Sequence, residues 1–265
     1  MHIIVCVKQT PKSENVQIDK ATGCLIRTGT QSAMNPFDEY ALEEAVLLKE
    51  QTGGHVCVIT MGPPQAQDVL RDSIARGADE VFLLSGAEFA GADTLATGYA
   101  LSKGIEKINS QHAADLIICG KQSNDSDTGN VGAQVAAWLG YPYAGEVKKI
   151  TCVTEKYIEV LCQADEADMH IRLPLPCVIS VLKTIACPRV RSVKGRLRAQ
   201  TAPITTWAGE DIHADKTKLG LAGSPTRVIK SFAPERSEKA TFVDGTDACE
   251  KARALVARLK EHDLI

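Results

Sequence analysis

Short apolar runs recur along the chain at HIIVCV (2–7), HVCVIT (55–60), EVFLLS (80–85), DLIICG (115–120) and PCVISVLK (176–183). Each is rich in Val and Ile and apolar at nearly every position, the pattern of parallel strands covered on both faces. Between them the period changes to that of a helix. DEYALEEAVLLKE (38–50) sets Leu42, Ala45, Val46 and Lys49 on one stripe, and QAQDVLRDSIARG (65–77) ends on Gly77, a C-cap residue. TLATGYALSKGIEKI (94–108) repeats Leu101, Ile105 and Ile108, and a further helix carrying Val131, Val135, Trp138 and Leu139 begins near Gly129. This alternation predicts an α/β fold with a mostly parallel, doubly wound sheet.

Two regions break the alternation. VQIDKATGCLIR (16–27) reads as a hairpin around a KATG turn. From Glu146 to Leu173 the runs alternate more openly and predict a short antiparallel addition. Beyond Thr184 the core signal stops: residues 184–245 hold scattered prolines and glycines, and 251–262 reads as a final amphipathic helix. The expected division is a domain over 1–183 and a C-terminal arm over 184–265 that packs against something else, such as another chain.

Composition narrows the function classes. A length of 265 residues suits one large α/β domain, with or without an appended arm. A net charge of -3 and only 5% aromatics argue against nucleic-acid binding, which needs a basic footprint or stacking rings. The nine cysteines contain no CxxC pair, and Cys6, Cys57, Cys119 and Cys177 sit inside apolar runs as small hydrophobes. An odd, scattered set of thiols points to a reducing compartment. The apolar run before Lys8 is too short for a signal-peptide core, and no run approaches the ~20 residues of a membrane span. The expected location is the cytoplasm.

Ligands of open parallel sheets bind where strands lead into helices at their carboxyl ends. Four such loops carry polar chemistry here. The first, VKQTPKSENV (7–16), carries Lys8 as its second residue and closes on MNPFDEY (34–40), where Asn35 suits an N-cap, Pro36 the first helical position and Asp38 the positive helix end, with Phe37 between them. The second is TMGPPQAQ (60–67), headed by Met61; the third, AGADTLAT (90–97), offers Asp93, Thr94 and Thr97 around a helix start. The fourth is GKQSNDSDTGNV: Gly120, Lys121, Gln122, Ser123, Asn124, Asp125, Ser126, Asp127, Thr128, Gly129, Asn130 and Val131. The helix that follows offers unsatisfied amides and about half a positive charge, a combination that accepts phosphate. Gly129 and Gly132 keep side chains out of that approach.

Other readings of the loop fail on spacing. With Asp125 as the first calcium ligand, the glycine falls one place early and the closing acid position holds Ala136. Neither a Walker loop nor a GxGxxG fingerprint occurs. No GxSxG, HExxH or nucleophile–base pair is present, and none of the six histidines lies in the four loops. A nucleotide cradle without acid, base or nucleophile implies that the chemistry belongs to a bound cofactor. A polar loop over a capped helix remains the plain alternative.

The chain resembles the beta subunit of electron-transfer flavoproteins over almost its full length. The resemblance rests on VCVKQTP (5–11), NPFDEYALEEAV (35–46), MGPPQAQDVLRDSIARGAD (61–79), FAGADTLAT (89–97), GKQSNDSDTGNVG (120–132) and GLAGSPTRVIKSFAPE (220–235). It implies an adenine-nucleotide-binding α/β fold without a Rossmann fingerprint, paired with an alpha subunit. Simple carriers of this family hold AMP in the beta subunit; the bifurcating subset holds a second FAD there, which exchanges electrons with NADH. The nucleotide contacts carry over onto Cys6, Asn35 to Asp38, Met61 and Gly120 to Val131. The partner-recognition loop maps onto Arg189, Val190, Arg191, Ser192, Val193, Lys194, Gly195, Arg196, Leu197 and Arg198, with Val193 where a leucine anchor is usual. The run of cations reads either as a solvated arm or as a docking surface for an acidic partner face.

VKQ-x-P, ADTLAT, DT-x-x-VG and GSPT resemble the bifurcating and nitrogen-fixation-associated branch. Ser126 stands where that branch has glycine, Gly129 and Asn130 where it has Ala-Gln, and Ala186 and Cys187 where the family shows Asn-Glu. These departures leave FAD and AMP both open. The implied role is relay of electrons between NADH or an acyl-CoA dehydrogenase-type flavoenzyme and a second acceptor such as ferredoxin. A universal-stress-type nucleotide sensor is the alternative of another class; the long arm argues against it.

Overall fold

The apolar runs pair as parallel neighbours. In chain order the strands are β1 (His2–Cys6), β2 (Gln9–Pro11), β3 (Ser32–Met34), β4 (His55–Met61), β5 (Glu80–Leu84), β6 (Leu116–Gly120), β7 (Tyr143–Val153), β8 (Tyr157–Cys162), β9 (Met169–Pro174), β10 (Cys177–Val181) and β11 (Thr205–Trp207). The computed structural model describes residues 1–11, 32–227, 229, 240 and 242–265; the hairpin expected over 16–27 lies outside them. Nine strands form one sheet in the order β11-β5-β4-β1-β6-β10-β7-β8-β9. It is parallel from β11 to β7, and β8 and β9 extend it antiparallel, as the openly alternating sequence predicted. β2 and β3 form a separate two-stranded ribbon that brings residue 34 back beside residue 9.

The helices are α1 (Pro36–Thr52), α2 (Gln67–Arg76), α3 (Thr94–Asn109), α4 (Val131–Leu139), α5 (Val193–Thr201) and α6 (Ala248–Glu261). α2 stops where expected, with the Gly77 amide on the Ser73 and Ile74 carbonyls. Side chains alternate across the central parallel strands, so β1, β4, β5, β6 and β10 each feed two cores. Ile3, Val5, Val56 and Val58 pack with α1 and α2 on one face; Ile4, Cys57, Ile59 and Leu84 pack with α3 and α4 on the other. Each fully buried Ile or Leu contributes roughly 1.5–3 kcal/mol, which is why the interiors of β1, β4, β5, β6 and β10 carry almost no polar residue.

The sequence beyond Thr184 holds more structure than its pattern predicted. β11 pairs with β5, and Trp207 stacks on Phe82 with ring centroids 4.7 Å apart. Ile212 and Leu219 are buried on the same face, and Ala199 of α5 packs into the opposite core. Isolated core residues spaced by loops leave no period to read, which hid this edge of the sheet. The described residues fall into two compact units, one ending at Ile229 and one carrying α6. α6 starts on an Asp247 cap that accepts from the Glu250 amide, while Glu250 accepts from Thr246. Among the described residues, no helix is long and apolar enough to cross a membrane.

Candidate functional site

β1 and β6 are neighbours, yet the chain leaves them for opposite faces, β1 toward α1 and β6 toward α4. Loops that diverge this way open a crevice at the carboxyl ends of the strands. Its floor includes Cys6 and Cys119, register partners whose side chains are buried. The hydrogen bond to Cys6, with burial, holds the Cys119 thiol well above its usual range. Both thiols are core packing, so Cys6 offers a ligand at most its main chain.

Asn35 ties the two loops together. Its backbone stands at the N-cap of α1, but its side chain does not cap that helix. Instead Nδ2 donates to Asp38 Oδ1 at 2.9 Å and to the Gln122 carbonyl at 2.8 Å, and Oδ1 accepts from the Asn124 amide at 3.1 Å. The Asn35 amide also donates to the Lys8 carbonyl, and the Lys8 amide to Asp38 Oδ2 at 2.8 Å. Asn35 is 1% exposed and Asp38 5%, so this knot is built inside the protein. Pro36 occupies the first turn of α1, and the Phe37 ring faces Lys183 Nζ at 4.6 Å. Gly120 lets the start of α1 approach β6, because a Cβ there would lie 2.3 Å from Asp38 Oδ1 and 2.8 Å from Phe37 Cβ.

Burial pushes the Asp38 carboxyl up to about 7, against the opposing pull of the Asn35 and Lys8 hydrogen bonds. A carboxyl raised on folding binds its proton more tightly in the native state, so its ionisation opposes folding. Stability is therefore expected to fall as pH rises from the usual 3.8 through about 7. Urea midpoints for Asp38→Asn should fall less over that window than those of the parent. Glu44, also near 7 through burial and the neighbouring Glu43 charge, keeps part of the slope. Parallel profiles for the two proteins would refute the assignment to Asp38.

The loop from Gln122 to Asn130 folds over the crevice. Lys8 Nζ pairs with Asp125 Oδ1 at 2.6 Å and reaches Ser123 Oγ at 3.3 Å; Ser123 and Ser126 hydroxyls meet at 2.7 Å. Asp125 loses some hydration, but the Lys8 and Ser123 hydrogen bonds and the Lys8 charge outweigh this and hold its carboxyl below the usual range. Gln122 donates to Asp127, which sits at φ 58, and Gly129 follows at φ 67, a left-handed turn that favours glycine. Exposed Thr128 lies between them, and Asn130 then starts α4 without a side-chain cap. The first helical amide bond is Gln134 to the Asn130 carbonyl, so the amides of Val131, Gly132 and Ala133 have no acceptor among the described residues. An open helix start of this kind can accept an anion.

Several expected contributors are engaged elsewhere. Lys121 Nζ pairs with Glu146 at 2.9 Å, and Lys8 with Asp125, so neither cation stands ready for a phosphate without exchanging partners. A Cβ on Gly132 would meet Cys119, Ser180 and Tyr143 in ordinary contact, and one on Gly129 would meet the Lys121 carbonyl oxygen at 3.4 Å. Asp93 caps its own helix, accepting from the Ala96 amide, and also accepts from the Thr226 amide. Partial desolvation of Asp93 is outweighed by those bonds, which hold its carboxyl below the usual range. Thr94 accepts from Gln134 Nε2 at 3.2 Å, joining the starts of α3 and α4. Thr97 lies one turn further along α3, and Met61 packs partly buried against the α3–α4 face.

The basic segment divides in two. Arg189 bridges Glu43 and Glu50, Arg191 pairs with Asp72, and Arg198 donates to the Ala78 carbonyl. Sequence pattern missed these acids because they lie over a hundred residues away. Ser192 caps α5 through the Gly195 amide. Lys194 and Arg196 form no ion pair among the described residues. Val190, Val193 and Leu197 are 88%, 77% and 61% exposed, an apolar stripe no part of the described chain covers.

The donor set fits a phosphate-linked nucleotide: one uncapped helix start, a glycine bend before it, and side-chain amides of Gln122, Asn124 and Asn130 around it. A family model described as the electron transfer flavoprotein domain matches residues 22–212. Subunit CarD of the caffeyl-CoA reductase-Etf complex from Acetobacterium woodii is 42% identical over 266 residues, covering 100% of both chains. The electron transfer flavoprotein subunit beta of Clostridium acetobutylicum is 38% identical over 265 residues, again 100% of both. Protein FixA of Azorhizobium caulinodans is 40% identical over 264 residues, covering 98% of this chain and 94% of its own. With fold, crevice and full-length similarity in agreement, the chain belongs to the electron transfer flavoprotein family, as an electron-transferring beta subunit of the branch that holds FixA and CarD.

Proposed function

We propose that this chain binds FAD in the β1–β6 crevice, pairs with an alpha subunit, and relays electrons between NADH or an acyl-CoA dehydrogenase-type flavoenzyme and a second acceptor such as ferredoxin. The observation that carries the reading is the uncapped start of α4, roofed by a loop that Asn35 fastens to α1. A bound flavin supplies the hydride and single-electron chemistry. The protein's own part is positional. Amides of Val131 to Ala133 receive the diphosphate, and Lys8 exchanges Asp125 for a phosphate oxygen. Gln122, Asn124 and Asn130 hydrogen-bond sugar or base, and the thiol floor excludes water. The cytoplasm suits the eight described cysteines, all free thiols. The CarD relative's place in a caffeyl-CoA reductase complex supports an acyl-CoA-type partner here. Val190, Val193 and Leu197 provide the docking stripe, and Lys194 and Arg196 the charge that steers it.

AMP in the same crevice is the second reading. It is favoured by the open start of α4 beside a start of α3 already capped by Asp93, since one phosphate needs only one such terminus. The experiment is a cofactor count on the purified assembly of this chain with its alpha subunit, after heat release. Two FAD per heterodimer supports the proposal; one FAD with one AMP establishes the second reading. Absence of any adenine nucleotide would sink both. In the same preparation, Leu197→Asp should weaken association with the dehydrogenase roughly tenfold while leaving the cofactor count intact.

A further inference from the structure

At the end of the sheet opposite the crevice, the first residues of β1, β4 and β5 bring together side chains that bind metals elsewhere in proteins. Register decides this. His2 stands beside His55, and Cys57 beside Glu80. Period-two alternation puts all four on the same face as Ile4, Ile59 and Phe82. His2 Nε2 lies 3.2 Å from Cys57 Sγ, Cys57 Sγ lies 3.9 Å from Glu80 Oε2, and His55 Nε2 lies 3.8 Å from Glu80 Oε1. Ligand atoms of His55, Cys57 and Glu80 all fall within 4.8 Å of one another. Zinc bonded at about 2.0–2.1 Å to nitrogen and about 2.3 Å to sulfur sets tetrahedral ligand atoms roughly 3.3–3.8 Å apart. The His2–Cys57, Cys57–Glu80 and His55–Glu80 separations lie close to such edges, the last two to different oxygens of Glu80.

The surroundings orient the ligands as a metal site requires. His2 Nδ1 lies 3.2 Å from the Ala113 carbonyl; donating there leaves the Nε2 lone pair facing the thiol. His55 Nδ1 faces Asp79 Oδ2 at 3.6 Å, which turns Nε2 toward Glu80. Asp79 is fixed by Lys49 Nζ at 2.5 Å and the Val56 amide at 2.9 Å. Cys57 is 1% exposed, whereas the His55 and Glu80 side chains are 44% and 55% exposed, so an ion arriving from solvent meets them first. Burial and the Glu80 and Asp79 charges push the Cys57 thiol up to about 12; a cation reverses that balance.

We propose that His2, His55, Cys57 and Glu80 form a structural site for a zinc-like divalent cation, independent of the nucleotide crevice. Binding releases the Cys57 proton to solvent. The dication, thiolate and carboxylate then sum to zero, so no net charge is left at the sheet end. Four protein ligands leave no open position, which makes the ion a clamp on three adjacent strands rather than a catalyst.

The test titrates the full-length protein with Co2+, then with Zn2+ in competition with a chromophoric chelator. One cobalt per chain is expected, with visible bands of a tetrahedral centre and a near-ultraviolet thiolate charge-transfer band. Cys57→Ser should remove the charge-transfer band. His55→Ala and Glu80→Gln, both at half-exposed positions that preserve folding if Cys57→Ser does not, should weaken zinc binding roughly tenfold or more. His170→Ala, on exposed β9, should change nothing. Stoichiometric binding that survives His55→Ala and Glu80→Gln unchanged, or no stoichiometric binding at all, overturns the proposal.

Discussion

Replacing Asn35 with alanine is expected to weaken adenine-nucleotide binding roughly tenfold or more and to lower stability by roughly 2–4 kcal/mol. The side chain serves three partners at once: Asp38 Oδ1, the Gln122 carbonyl and the Asn124 amide. A buried polar group left without a partner costs about 1–3 kcal/mol, and Asp38 Oδ1 is the most deeply enclosed of the three. The Gln122 and Asn124 groups lie nearer solvent, so water recovers part of their loss. The binding effect follows because Asn35 makes the direct hydrogen bonds from the start of α1 to Gln122 and Asn124, while the Lys8 bridge reaches only Ser123 and Asp125. Urea unfolding measures the first effect and calorimetric titration with ADP the second. Asn35→Asp should be no better than alanine, since it sets a second carboxyl against Asp38. ADP affinity unchanged in Asn35→Ala would mean the loop is positioned by something other than this knot.

Gly120→Ala is expected to be damaging for a steric reason. The added Cβ would lie 2.3 Å from Asp38 Oδ1, 2.8 Å from Phe37 Cβ and 3.0 Å from the Phe37 carbonyl carbon. Two of those three atoms belong to or adjoin the α1 backbone, so relief requires moving the helix start away from β6. Overpacking of this kind costs roughly 1–3 kcal/mol. It also separates Asn35 from Gln122, so ADP affinity should drop with stability. Gly132→Ala is the matched control, because its Cβ would sit in ordinary contact, 3.4 to 3.5 Å from Cys119, Ser180 and Tyr143. Equal behaviour of the two alanine variants in thermal melts would refute the close-approach argument.

The position of the crevice could be read along the chain because local pattern encodes it. Apolar runs announce strands, a polar loop breaks them, and a helical period resumes at Val131. The chemistry of its members could not be read in the same way. Asn35 carries the signature of an N-cap, yet its side chain serves a loop 87 to 89 residues away. Sequence alone leaves Lys8 and Lys121 equally as phosphate counter-charges or solvated cations; the fold sets Asp125 and Glu146 beside them. The basic segment looked solvated or dedicated to docking, but Arg189 and Arg191 are pinned by Glu43, Glu50 and Asp72. In each case the partner lies far off in sequence, and no local period reports it.

Hydrophobic periodicity in the sequence alone decided that this protein is a parallel α/β sheet, which faces its strands and helices bury, and which loop precedes the open helix. Those outcomes depend on neighbours within a turn or a strand, where burial of each side chain follows from spacing. Tertiary structure alone decided strand order and register, and with them the seating of β11, the knot around Asn35, and the meeting of His2 with Cys57 and His55 with Glu80. Pairing and long-range polar contacts are selected by how whole layers pack, a property of the assembled core that no short stretch of sequence contains.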